Sequence, residues 1–197
     1  MSPRPTHRQQ VGVYIVEATE NVSTWGKVVN LLFNGNWKSG TNWALFFGRL
    51  ALGFLFIWGG YTKMGAWANG GMATKGFLGG ASVDAGPLAA FFHSLSGNWT
   101  VEYITVYGEF LIGVALIFGL FVRVGAVSAA LMMLLFTVAM WPIADTAGAN
   151  PLVDIRVIYG LMALGFFFTK PGLFLGVDGV IEKYLPKKLS KLKLLLG

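Results

Sequence analysis

Five charged residues stand in or beside apolar stretches long enough to cross a bilayer. Arg49 and Lys63 belong to GRLALGFLFIWGGYTKM (48–64), and Glu109 lies inside VEYITVYGEFLIGVALIFGLF (101–121). Asp154 and Arg156 open the run LVDIRVIYGLMALGFFF (152–168). A charge at mid-bilayer costs several kcal/mol, so such residues face a protein interior and find partners there. The chemistry open to this set is ion pairing, hydrogen bonding to a quinone headgroup, or binding of a small anion. Steps of four and three from Arg49 reach Gly53, Phe56, Gly60 and Lys63, and a second stripe links Glu102, Glu109, Gly113, Leu116 and Arg123. Each helix therefore carries its charges and a glycine on one face, where glycine lets backbones approach closely.

Heights follow from the helical rise. Glu109 should lie about 10 Å deeper than Glu102, and Arg49 about 21 Å from Lys63. On the same scale Arg156 should fall within about 5 Å of Glu109. The expectation is a Glu109–Arg156 pair, with Lys63 and Asp154 completing a polar cluster in one half of the membrane. Arg49 is a buried charge nearer the other face, expected to snorkel or to bind backbone carbonyls. Trp58, Tyr61 and Tyr107 fall near the cluster's level and join it as candidates for holding a quinone or an anion. They serve equally as an interfacial aromatic belt, which is the first reading for their neighbour Tyr103. His93 reads first as a loop residue and second as a partner for a quinone carbonyl. A register-fixing ion pair with no further chemistry is as strong a reading of the charges as a binding site.

Composition narrows the class. The chain has 197 residues, 55% hydrophobic and 12% charged, with 27 glycines and 7 tryptophans. A soluble domain carries about twice that share of charge. There is no cysteine, which excludes disulfides, thiolate chemistry and cysteine-ligated iron–sulfur clusters. The two histidines, His7 and His93, lie outside the long apolar runs, so no bis-histidine haem and no histidine-rich metal site is expected within this chain alone. The reading is an all-α integral membrane protein: a four-transmembrane-helix bundle with short amphipathic interfacial helices.

The spans expected are 43–63, 101–121, 124–141 and 152–168, with a glycine-rich outer loop at 65–100 and a stop at Lys170-Pro171-Gly172. Four spans put both termini on one side. Eleven of the 15 Lys and Arg residues fall on that side, three on the other, and Arg49 is buried. The positive-inside rule then predicts a multi-pass protein of the cytoplasmic (inner) membrane with both termini cytoplasmic. Its basic excess faces lipid headgroups, so the net charge of +6 does not call for nucleic acid. Amphipathic spacing predicts a surface helix over 23–33, one over 85–95 (Leu88, Phe91, Phe92, Leu95) and one over 176–185 (Val177, Val180, Ile181, Tyr184, Leu185). The organisation expected is a cytoplasmic segment over 1–42, a membrane domain over 43–170 and an amphipathic basic tail over 171–197.

Three stretches carry a family resemblance. RLALGFLFIWGGYTK (49–63) has Arg, then Leu-Gly at three and four on, and closes on Gly-x-x-Lys. EFLIGVALIFGLFVR (109–123) has Glu, Gly at four, Leu at seven, Gly-Leu at ten and eleven, and Arg at fourteen. NPLVDIRVIYGLMALGFFFTKPGLFLGVDGVI (150–181) gives a polar loop, a span, and a stretch bearing glycine and aspartate. Over about 140 residues, from 43 to 182, the chain resembles the DoxX/DoxD family of small four-helix membrane proteins. The resemblance implies association with respiratory or redox complexes, quinone as a cofactor, and thiosulfate oxidation of the thiosulfate:quinone oxidoreductase kind. In that enzyme DoxD works beside a DoxA subunit, and no DoxA-like portion is visible here. Two functional readings follow. One is a quinone-linked oxidoreductase subunit. The other is a non-catalytic accessory subunit that docks in a larger membrane complex, with lipids and other redox-complex subunits as partners. A small transporter ranks third, because four helices are few and no internal repeat is evident.

Overall fold

The computed structural model describes residues 38–80, 83, 87–141, 153–186 and 192–197, together with Gly26, Lys27, Asn30 and Leu32. The surface helix expected over 23–33 lies outside the described residues apart from those last four, which are helical. The described residues are mainly helical, with no strand among them. Three helices are long and apolar enough to cross a membrane: α1 (Gly40–Ala68), α4 (Trp99–Phe118) and α5 (Val122–Ala139). A shorter apolar helix, α6 (Ile155–Thr169), completes the set. Between α1 and α4 lie the short helices α2 (Ala73–Leu78) and α3 (Ala89–Ser94), and α7 (Val177–Tyr184) follows α6. His93 sits half-buried on α3.

Local signals set the bounds. The Ser39 side chain accepts a hydrogen bond from Asn42 N, so α1 starts before residue 43, and it stops only at Asn69 and the glycines beyond. Asp154 caps α6 by accepting from Arg156 N, which moves this span three residues on from its expected start. α4 ends on Gly119, whose φ of +66° suits glycine.

α1 packs chiefly against α4, and α5 against α6, while α4 and α5 share a looser seam. Hydrocarbon gives helices little reason to associate through burial alone, so close fit must hold them. The expected glycines supply it. A Cβ on Gly113 would lie 2.5 Å from Ile57 N, and one on Gly60 would lie 2.8 Å from Phe110 N. Leu52, Phe56, Ile112, Leu116, Ala126, Met133 and Phe166 fill the shared core. Phe47, Phe54, Leu111, Leu131 and Leu161 point outward, as lipid-facing residues should.

Candidate functional site

Lys63 closes onto Glu109 across the α1–α4 contact, its Nζ 2.6 Å from both carboxylate oxygens. The carboxylate is nearly inaccessible (4% of its side chain), whereas Lys63 keeps 31% exposed. Gly59 makes room: a Cβ there would sit 3.1 Å from Glu109 Oε2. The ammonium also lies 5.7 Å from the Phe136 ring centroid on α5. Three helices therefore meet at this pair.

The expected Glu109–Arg156 pair does not form. Arg156 turns to its own helix cap, with Nη1 3.1 Å from Asp154 Oδ2. The reason is height. Lys63 is five residues from the end of α1 and Glu109 ten from the start of α4, about 7 and 15 Å from the same end of the bundle. A lysine side chain spans that difference. Arg156, in the first turn of α6, stays at the mouth. The single cluster expected from sequence thus resolves into two ion pairs, Lys63–Glu109 inside and Asp154–Arg156 at the rim.

The aromatic candidates do not close over the inner pair. Trp58 and Tyr61 are exposed, with ring centroids 5.9 Å apart, and Phe54 stacks on Trp58 at 6.2 Å. Tyr107 and Tyr103 flank Trp67, each with centroids 5.4 Å from it. Both groups form ladders on the outside of α1 and α4. The belt reading fits this placement.

Arg49 is wholly buried (0% exposed), as expected, and it does bind a backbone carbonyl: Nη2 donates to Leu175 O at 3.1 Å. Its Nε and Nη1 have no hydrogen-bond partner among the described residues. A Cβ on Gly119 would overlap Nη1, so the guanidinium fills the space a side chain would take.

Two buried carboxylates escaped the sequence reading. Glu102, placed at the surface by its height, accepts from Trp67 Nε1 (2.8 Å), Ala73 N (2.9 Å), Thr74 N (2.8 Å) and the Thr74 hydroxyl. It thereby caps α2 from another helix. Asp178 accepts from Phe121 N at 2.7 Å, Val122 N at 2.9 Å and Gly197 N at 3.0 Å. α5 has no cap of its own, since Phe121 carries no side-chain acceptor, and Asp178 fills that place. Val177 and Tyr184 of the apolar stripe of α7 are exposed, while Asp178 and Gly179 on its other side are buried against the bundle. Burial pushes the Asp178 carboxyl up from its ordinary value, opposed by the three N–H donors and the nearby Arg49.

Beside the inner pair, α4 and α5 enclose an apolar groove of about 600 Å³. Phe136, Gly108 and Ile112 belong to its wall, so Phe136 stands between the groove and Lys63. Among the described residues no three His, Asp or Glu gather as metal ligands would.

The DoxX family model matches residues 44–141, from α1 through α5. No curated protein and no solved structure matches the chain. With the charged stretches at 49–63 and 109–123 inside the matched region and an all-α membrane architecture around them, residues 44–141 carry a DoxX domain.

Proposed function

We propose that this multi-pass membrane protein is the quinone-interacting subunit of a redox complex, and that Lys63 and Glu109 recognise the quinone headgroup. The observation that carries the reading is the Lys63–Glu109 pair itself. It crosses between two spans, and the Lys63 side chain keeps 31% of its surface accessible while Glu109 is nearly inaccessible. The Lys63 ammonium can donate to a quinone carbonyl, while Glu109 holds it in place and balances its charge. The groove of about 600 Å³ behind Phe136 suits an isoprenoid tail. Reduction of a quinone takes an electron pair and two protons. The chain contributes no thiol, so the electrons come from outside it: two thiosulfates give one electron each and join through a new S–S bond as tetrathionate, directly or through a partner subunit, and the two protons come from water.

A second reading is favoured by how the other buried charges are used. Glu102 and Asp178 cap helices, and Arg49 ties α1 to Leu175. Such a chain suits an accessory subunit whose ion pairs fix register. One experiment separates the two. Purified full chain is titrated with a short-tailed quinone, with and without thiosulfate. The first reading expects Lys63→Gln and Glu109→Gln to weaken quinone binding by about tenfold, the loss of one charge-assisted hydrogen bond. Thiosulfate-dependent reduction above the Glu109→Gln level makes the chain catalytic. Binding without reduction assigns electron delivery to a partner. Equal or absent binding in wild type and both variants removes the quinone reading and leaves the accessory one.

A further inference from the structure

Arg156, left apart from the inner pair, stands at the end of a second groove. α5 and α6 enclose a trough of about 370 Å³ whose wall includes Val127, Ala130, Thr137, Arg156, Gly160 and Leu164. Apart from Arg156 and the Thr137 hydroxyl, its wall is apolar. That hydroxyl donates to Met133 O at 2.7 Å. The trough has a direction. Arg156 lies in the first turn of α6, at the end of the bundle. From Arg156 to Leu164 the trough runs about 12 Å along α6, and from Thr137 to Val127 about 15 Å along α5. The Asp154–Arg156 ion pair stands at the rim, and an apolar channel leads from it along the helices. Asp154 holds Arg156 Nη1 at 3.1 Å, which fixes the guanidinium, while its Nε and Nη2 make no hydrogen bond to the described residues.

We propose that this trough is a phospholipid site. The lipid phosphate accepts from the remaining guanidinium N–H groups, and one acyl chain lies along the trough over Gly160 and Ala130. The polarity carries the choice of occupant. A helix from another subunit would need the apolar wall but not the arginine, and a free phosphate ion would need the arginine but not the wall. A phospholipid needs both, in this order from rim to depth. The proposal stands independently of the quinone reading, which concerns the other side of α5.

Purified, delipidated full chain in a phosphate-free detergent is titrated with dioleoyl phosphatidylglycerol and read by native mass spectrometry. Dioleoylglycerol serves as the phosphate-free analogue and inorganic phosphate as competitor. Arg156→Gln removes the charge at the rim. Gly160→Leu fills the trough from α6, and Ala130→Leu fills it from α5. The expected result is stoichiometric phospholipid binding, weakened by at least about tenfold in Arg156→Gln, the scale of a lost charge-assisted contact. At least one filler with wild-type circular dichroism should show a similar loss. Dioleoylglycerol should bind poorly, and millimolar phosphate should not displace the lipid. Wild-type binding in Arg156→Gln or in both fillers would overturn the proposal. So would dioleoylglycerol binding as tightly as the phospholipid, or displacement of the lipid by phosphate alone.

Discussion

At the scale of the residue, five charged groups, all but Lys63 buried, do different work. Lys63 and Glu109 neutralise each other between α1 and α4. Glu102 and Asp178 supply acceptors to helix starts that their own sequences leave bare. Arg49 is held by one carbonyl and by the absence of side chains at Gly119 and Gly176. Gly119 serves twice, since its φ is +66° and a methyl there would overlap the guanidinium. Gly119→Ala should therefore cost about 2 kcal/mol or more, the left-handed penalty plus displacement of Arg49. Thermal unfolding in detergent should show a marked fall in midpoint for Gly119→Ala and little change for Gly65→Ala, which has open space around it. The stripes through Arg49 and Glu109 were legible in the sequence because helical spacing fixes which residues share a face. The pairing partner was not. It depended on where α1 and α4 begin and end, and a shift of a few residues moves a charge by several ångströms.

At the scale of the element, α1, α4, α5 and α6 follow from apolar runs and their stops, and the expected spans differ from them mainly at capped ends. What stayed hidden is the use of one element to finish another. Besides its apolar stripe, α7 is fastened through Asp178 to the start of α5 and to Gly119 O. No local periodicity encodes such a contact, which spans more than fifty residues. Phe121 and Leu175 take φ values of 49° and 48° at this same end of the bundle, strained backbone held by the bond from Phe121 N to Asp178 and the bond from Arg49 to Leu175 O. Asp178→Asn should destabilise the fold by about 1–3 kcal/mol at neutral pH, because at least one N–H loses its acceptor. It should also change the pH profile. A carboxyl whose folded pKa lies above its unfolded value binds its proton more readily when folded. Its contribution to stability is then full in acid and lost as pH rises through the folded-state value. Unfolding midpoints measured across the mildly acidic range should show this decline in wild type and a flatter profile in Asp178→Asn.

At the scale of the whole molecule, the bundle is two helix pairs joined by a looser seam, with one groove at the seam between α4 and α5 and another between α5 and α6. The membrane class was legible from composition alone, since 12% charge cannot cover a soluble globule. The grooves were not, because their shape depends on crossing geometry between helices distant in sequence. Orientation is testable directly, because the chain has no cysteine of its own. Single Ser96→Cys and Lys193→Cys variants mark the two ends of the bundle. In intact spheroplasts an impermeant maleimide should label position 96 and leave position 193 unlabelled until the membrane is opened. The reverse pattern would invert the topology given by the lysine and arginine distribution.

The most direct test of the central claim, that Lys63 and Glu109 are each other's partners across α1 and α4, is a charge swap. Lys63→Glu and Glu109→Lys are made singly and together, and thermal unfolding is followed in detergent. Each single variant sets like charges together in a buried site and should lose about 3–5 kcal/mol. The double variant restores opposite charges and should recover most of that loss. Single variants as stable as wild type, or a double variant whose losses simply add, would contradict the account.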